Sequence, residues 1–150
     1  MGTDIHGYLE VRDEKTDYWE RVNLYRISKY GHRRLYNVEP WPYRNYLMFG
    51  ILAGLRMMDV EPILPPRGIP DICSDEIRAE YEAAESWGIH TPSYYTLNEL
   101  ELAARDKKRY DKDERRLIKA LISNIEFMLD ASWTFTDGGD NVRFVFWFDS

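Results

Sequence analysis

Apolar and polar positions alternate from the start of the chain. Residues 4–12 place Ile5, Gly7, Leu9 and Val11 on one face of a strand and Asp4, His6, Tyr8, Glu10 and Arg12 on the other. Residues 17–24 complete a hairpin around the polar turn Asp13-Glu14-Lys15-Thr16. Residues 25–43 hold no sustained period and read as irregular, ending in the Pro-bounded segment Glu39-Pro40-Trp41-Pro42-Tyr43. The apolar positions of 44–57 lie almost all round a helix, which predicts a buried one. A Pro-rich loop follows over 60–73, and Ser74 caps a helix reaching about Trp87. Residues 88–95 read as a loop, and Thr96-Leu97-Asn98-Glu99 carries a capping-box signature that starts a helix to about Arg105. Residues 112–129 keep Leu117, Ile118, Leu121, Ile122, Ile125, Met128 and Leu129 on one stripe. A turn at Asp137-Gly138-Gly139-Asp140 leads to a last strand, 142–148, apolar on both faces and therefore central.

The expected fold is α+β in a single domain, 1–150. A small, mainly antiparallel sheet is built from the N-terminal hairpin and the C-terminal strand, and about four helices cover one face. The other face would then present a carboxylate, an imidazole, a phenol, a second carboxylate and a guanidinium in one row, about 6.5–7 Å apart.

The net charge of −6 argues against general nucleic-acid binding, so no direct DNA binding is expected, although Arg26, Lys29, His32, Arg33 and Arg34 form a local basic cluster. One cysteine, Cys73, excludes an internal disulfide and reads as inert. No apolar run reaches the ~18–20 residues of a membrane helix, and the N-terminus lacks a signal sequence, so a cytoplasmic protein without membrane contact is expected. Aromatics make up 22 of 150 residues, enough to furnish both a core and a binding surface.

Within that frame, Asp4 could orient His6 for acid–base work. Asp4, His6 and His90 could instead hold a divalent metal. Arg44 and Asn45, beside Tyr43 and Tyr46, stand where a helix N-terminus would hold an anion, or Asn45 serves as the N-cap with Arg44 just outside the helix. The stiff Pro65-Pro66-Arg67-Gly68 loop could present Arg67 as a fixed fork to phosphate. There is no nucleophile elbow, ordered Ser-His-Asp set, P-loop or Rossmann glycine pattern.

Several of these blocks carry a family likeness. Met1-Gly2-Thr3-Asp4-Ile5-His6, the Arg44-Asn45-Tyr46 helix opening, Pro65-Pro66-Arg67-Gly68-Ile69-Pro70, the His90 loop before Thr96-Leu97-Asn98-Glu99-Leu100, and the closing Val142-Arg143-Phe144-Val145-Phe146-Trp147-Phe148-Asp149 resemble a family of small bacteriophage and prophage proteins. Relatives often have Cys where this chain has Thr3, and a His-Ser-x-Ser-Trp loop where it has His90-Thr91-Pro92-Ser93-Tyr94. The resemblance implies an accessory protein of the host cytosol that counters host defence.

Three functions follow as expectations. The first is a cofactor-free binding module that sequesters a nucleotide-like, phosphate-bearing immune signal. Asp4, His6, Tyr8, Glu10, Tyr43, Arg44, Asn45, Tyr46, Arg67 and His90 would line its pocket, with Trp41, Tyr43 or Tyr46 as stacking platforms. The second is a metal-dependent phosphoester hydrolase built on Asp4, His6 and His90. The third is an acidic protein that inhibits a host defence protein by surface contact. A small sheet with exposed aromatics also leaves room for a homo-oligomer.

Overall fold

A strand that is apolar on both faces needs cover on both, and this requirement organises the molecule. The computed structural model describes residues 2–36, 38–57, 59–136 and 138–150, with backbone alone at 25–27 and 34–36. Strand β6 (Val142–Asp149) lies inside a four-stranded antiparallel sheet of order β2-β1-β6-β5. Its neighbours are β1 (Asp4–Arg12), with Asp4 opposite Asp149 and Val11 opposite Val142, and β5 (Ile89–Thr96). Strand β2 (Trp19–Arg21) pairs only with the far end of β1, as the predicted hairpin requires.

On one face, Val142, Phe144, Phe146 and Phe148 join Ile5, Leu9 and Tyr95 in the main core. Helices α1 (Tyr46–Ala53), α3 (Leu97–Arg105) and α4 (Lys112–Ala131) close it with residues such as Phe49, Leu100 and Ile125. On the other face, Val145 and Trp147 pack with Ile77 and Tyr81 of α2 (Asp75–Ala84), flanked by Tyr8 and Tyr94. Helices therefore cover both faces, not one, because β6 carries a second apolar set that water cannot be left to cover.

Three sequence expectations change in detail. Residues 25–43 are not wholly irregular: β3 (Leu24–Ile27) and β4 (Arg33–Tyr36) form a separate two-stranded ribbon. Its turn carries Lys29, His32 and Arg33 of the basic cluster into solvent, while the side chains of Arg26 and Arg34 lie outside the described residues. Of residues 88–95, all but Gly88 belong to edge strand β5 rather than to a loop. Pro92 lacks an N–H, which only an edge strand tolerates, and the register shifts between His90 and Ser93. Helix α1 is shorter than expected. Asn45 caps its start by accepting from the Met48 N–H, and Gly54 ends it in the left-handed conformation (φ 70°). The predicted 137–140 turn includes Asp137, outside the described residues; Gly139–Asn141 form one 3-10 turn before β6.

Two other helices start as their sequences direct. Thr96 and Glu99 form the predicted capping box of α3, and Asp111 and Glu114 form another at α4. Among the described residues no helix is long and apolar enough to cross a membrane.

The second face is pinned by one buried ion pair. Glu10 is fully buried and accepts from Arg143 Nε at 2.7 Å, while its other oxygen accepts from the Ser74 N–H at 3.0 Å. Arg143 also donates to the Ile72 carbonyl at 2.7 Å and stacks 3.4 Å from the Trp19 ring centroid. Burial pulls the Arg143 guanidinium below its ordinary pKa, and the Glu10 charge opposes that pull. Replacing Glu10 by Ala strands a buried cation, so Glu10→Ala should cost roughly 3–5 kcal/mol in urea unfolding. A cost below about 1 kcal/mol, the scale of an exposed pair, would show that the pair does not hold α2 in place.

Candidate functional site

At one end of the sheet, three chain segments bring polar groups together. The residues before and at the start of β1 supply Thr3, Asp4 and His6, the end of β6 supplies Asp149 and Ser150, and the start of β5 supplies His90 and Thr91. The approach to α1 adds Arg44 and Tyr46, and the turn after it adds Arg56. Strand ends leave backbone groups and side chains open to solvent, so charge is cheap to keep here and expensive in mid-sheet.

On the α2 side, Arg44 grips Asp4 with both arms of its guanidinium, Nε to Oδ1 at 2.8 Å and Nη2 to Oδ2 at 2.9 Å. Gly2 makes room for this fork: a Cβ there would fall 2.2 Å from Arg44 Nη1. His6 Nε2 lies 2.5 Å from Asp149 Oδ2. Asp149, not Asp4, is thus the carboxylate that orients His6.

Next to this pair opens a cleft of about 340 Å3 between the sheet and α2. Tyr8, Trp147, Ile89 and Trp87 make its apolar walls, and His6, Asp149 and Glu80 its polar edge. The Tyr8 and Trp147 rings lie 5.2 Å apart, and Tyr81 meets Trp147 edge-on at 5.3 Å. Trp87 is 80% exposed, an unusual position for a tryptophan. Arg21 lies 4.5 Å above the Tyr8 ring and pairs with Glu80 at 3.6 Å. Burial, together with the Glu80 and Glu39 charges, pushes the Tyr8 phenol up to about 12, so it stays a neutral donor.

On the opposite face, His90 Nε2 lies 2.8 Å from Ser150 Oγ and His90 Nδ1 2.9 Å from Thr91 Oγ1. Ser150 Oγ lies 3.0 Å from the hydroxyl of buried Thr3, which accepts from Arg56 Nε at 2.8 Å. The Thr3 N–H donates to the Tyr46 hydroxyl at 3.3 Å, and Arg56 lies 5.2 Å above the Tyr46 ring.

Of the ten residues singled out from the sequence, Asp4, His6, Arg44, Tyr46 and His90 meet at this end, and Tyr8 lines the cleft. The other four do not join them. Glu10 is enclosed with Arg143 and Ser74. Asn45 is spent as the α1 cap, leaving Arg44 outside the helix. Tyr43 is exposed and packs edge-on against Trp41, itself a buried core residue rather than a stacking platform. Arg67 forks onto Glu99 and donates to the Tyr94 carbonyl on the open edge of β5. The metal triad Asp4, His6 and His90 is not assembled: His6 shares a face with its register partner Trp147, and His90 shares the other with Phe148. Among the described residues no group of three His, Cys, Asp or Glu side chains could hold an ion.

Sequence reasoning missed Asp149, Ser150, Arg56, Glu80 and Trp87. Asp149 had a usable signal, since antiparallel pairing of the first and last strands puts it opposite Asp4. Trp87 and Glu80 had none, because their place depends on α2 lying across the second face.

The Arg44 hydrogen bonds hold the Asp4 carboxyl below its ordinary range, with the His6 charge adding in the same direction. A lowered carboxyl pKa contributes stability that is present above the ordinary value and is lost as pH falls through the lowered one. In Arg44→Met, the Asp4 titration followed by carboxyl-carbon NMR should move up toward the ordinary carboxylate range; an unmoved midpoint would place the cause elsewhere. Comparison of the chain with protein-family models, with characterised proteins and with solved structures finds no match.

Proposed function

We propose that the protein binds a nucleotide-like ligand across the Asp4–Asp149 end of the sheet and retains it unchanged. One observation carries this reading: an aromatic-walled cleft runs into a row of paired charges that bear both acceptors and a guanidinium fork. A flat ring fits against exposed Trp87. Asp149 and Glu80 suit the hydroxyls of a sugar or the amine of a base. His6 stands at the rim for phosphate, and Arg44 lies beyond it on Asp4, the register partner of Asp149. Exposed ion pairs are weak, so a phosphate group can exchange with Asp4 for the Arg44 fork at small cost.

The cleft volume lies near the lower end of the range for small-molecule sites, which suits one nucleoside unit rather than a polymer. Arg67 takes no part in this reading, because its fork is committed to Glu99 on another edge of the sheet. The hydrolase alternative loses its metal triad to the opposite facing of His6 and His90. Together with the likeness to phage proteins, a retained ligand suggests removal of a host nucleotide signal from the cytosol.

Calorimetric titration with nucleosides, mononucleotides and cyclic dinucleotides, followed by mass spectrometry of the released ligand, tests the reading. The expected result is saturable binding of at least one nucleotide, recovered intact. Trp87→Ala should then weaken binding by about 5- to 150-fold, the loss of one stacked base at roughly 1–3 kcal/mol. Arg44→Gln should weaken a nucleotide at least about tenfold while sparing its nucleoside, the signature of one charge-assisted contact to phosphate. Undiminished affinity in Trp87→Ala would remove the cleft from the site, and no binding across the panel would end the reading.

A further inference from the structure

On the face away from the cleft, the hydrogen bonds of the His90 group form one connected chain from Arg56 to Thr91. Arg56 Nε is a donor and nothing else, so the Thr3 hydroxyl accepts from it at 2.8 Å. Thr3 Oγ1 lies 3.0 Å from Ser150 Oγ, and Ser150 Oγ lies 2.8 Å from His90 Nε2, so in the tautomer with Nε2 unprotonated the Ser150 proton points to the imidazole. With Nε2 accepting, the neutral ring carries its proton on Nδ1 and gives it to Thr91 Oγ1 at 2.9 Å. We propose that Ser150 is a nucleophilic hydroxyl, with His90 as its general base, acting on the carbonyl of small esters.

Each member of the group stands in a suitable state. Ser150 is exposed and open to a substrate, whereas Thr3 is 2% exposed and fixed. With its proton directed to His90, the serine oxygen keeps a lone pair for attack even where Thr3 donates to the other. The Arg56 cation lies two hydrogen bonds from the reacting oxygen.

Thr91 carries the independent sign of function. It is β-branched yet sits at φ 53°, in the left-handed region, beside the register shift between His90 and Ser93. A left-handed backbone at the residue whose hydroxyl lies 2.9 Å from His90 Nδ1, and so orients the ring, is where stored strain has a use. Thr91 is a positioning residue, as it reaches the substrate only through His90.

The step balances without a cofactor. Ser150 Oγ bonds to the carbonyl carbon as its proton passes to His90 Nε2. The tetrahedral adduct then expels the leaving alkoxide, which takes the proton back from Nε2. Water repeats the sequence on the acyl-serine, with Nε2 first accepting its proton and then returning it to Ser150 as the carboxylic acid departs.

The test is labelling of the whole protein with a fluorophosphonate, which reacts with activated serines and leaves ordinary ones untouched. One adduct should form, mapped to Ser150 by peptide mass spectrometry, with a rate that rises as the imidazole loses its proton. His90→Gln should lower that rate by roughly 10²–10⁴-fold, the usual contribution of a general base. Ser150→Ala should abolish it. Thr91→Val should slow labelling and shift its pH profile, and Thr91→Ser should restore both. No adduct, an adduct on another residue, or a pH-independent rate in the native protein would overturn the proposal even if His90→Gln failed to fold. None of these outcomes depends on the ligand of the cleft, which lies on the other face.

Discussion

The Glu10–Arg143 pair is the constraint on which the second layer of the molecule rests. Neither residue can be dry and alone at tolerable cost, so each must find its partner when β1 pairs with β6. Their register does this, since Glu10 stands opposite Arg143. The second Glu10 oxygen then needs a donor, and the N–H of Ser74, the α2 N-cap, supplies it. Arg143 in turn needs its flat face covered, which Trp19 of β2 does. One pair thus fixes where α2 begins, how the hairpin lies, and which side of the sheet forms the cleft wall. Its contribution is to placement as much as to stability, because this arrangement gives both Glu10 oxygens and two Arg143 nitrogens their partners.

The same economy governs the sheet edges. Strand β2 covers only part of β1, and the uncovered Gly7 N–H is taken by the Glu39 carboxylate at 2.8 Å. Burial pushes the Glu39 carboxyl up, while this bond and the His6 charge pull the other way. On the far edge, β5 is covered by the Pro-rich loop: the Gly68 N–H donates to the Pro92 carbonyl at 2.9 Å, and Arg67 donates to the Tyr94 carbonyl. An anion meets a free donor and a cation meets a free acceptor. Charged side chains placed in this way discourage a second chain from adding to the sheet. Arg67 looks like a phosphate fork in the sequence and is an edge guard in the fold, tied down by Glu99, whose carboxyl is raised by burial and lowered by more by Arg67 and the Thr96 hydrogen bonds together.

What the sequence revealed and what it hid follow from the range of the interactions concerned. Helices α2 and α3 are legible because their caps lie within a few residues of the bonds they make, and α4 because its apolar stripe is local too. The alternation of β1 was legible for the same reason. Strand β5 was hidden, because Gly88 and Pro92 are loop signals unless a neighbour makes an edge strand worthwhile, and that neighbour, β6, lies about fifty residues further on. The row Asp4, His6, Tyr8, Glu10 was rightly placed on one face and wrongly treated as one environment. Its outer end is wet and its inner end is sealed by α2, so Glu10 became structure and Asp4 and His6 remained available.

That division explains why the chemistry gathers where it does. A sheet covered on both faces has only its ends and its uncovered margins in contact with water, and here the ends of β1, β5 and β6 come together at one point. Carboxylates, imidazoles and hydroxyls held there keep their hydration while the Phe and Trp ladders behind them stay rigid. The two faces of the sheet then split this polar end into two arrangements that share a backbone and little else. Toward α2 the polar groups border aromatic walls, which suits retention of a flat, charged ligand. Toward α1 they form a connected hydrogen-bonded chain with a strained member, which suits the movement of a proton. A fold of 150 residues can carry both because the strand that separates them, β6, presents Asp149 to one side while its next residue, Ser150, reaches the other.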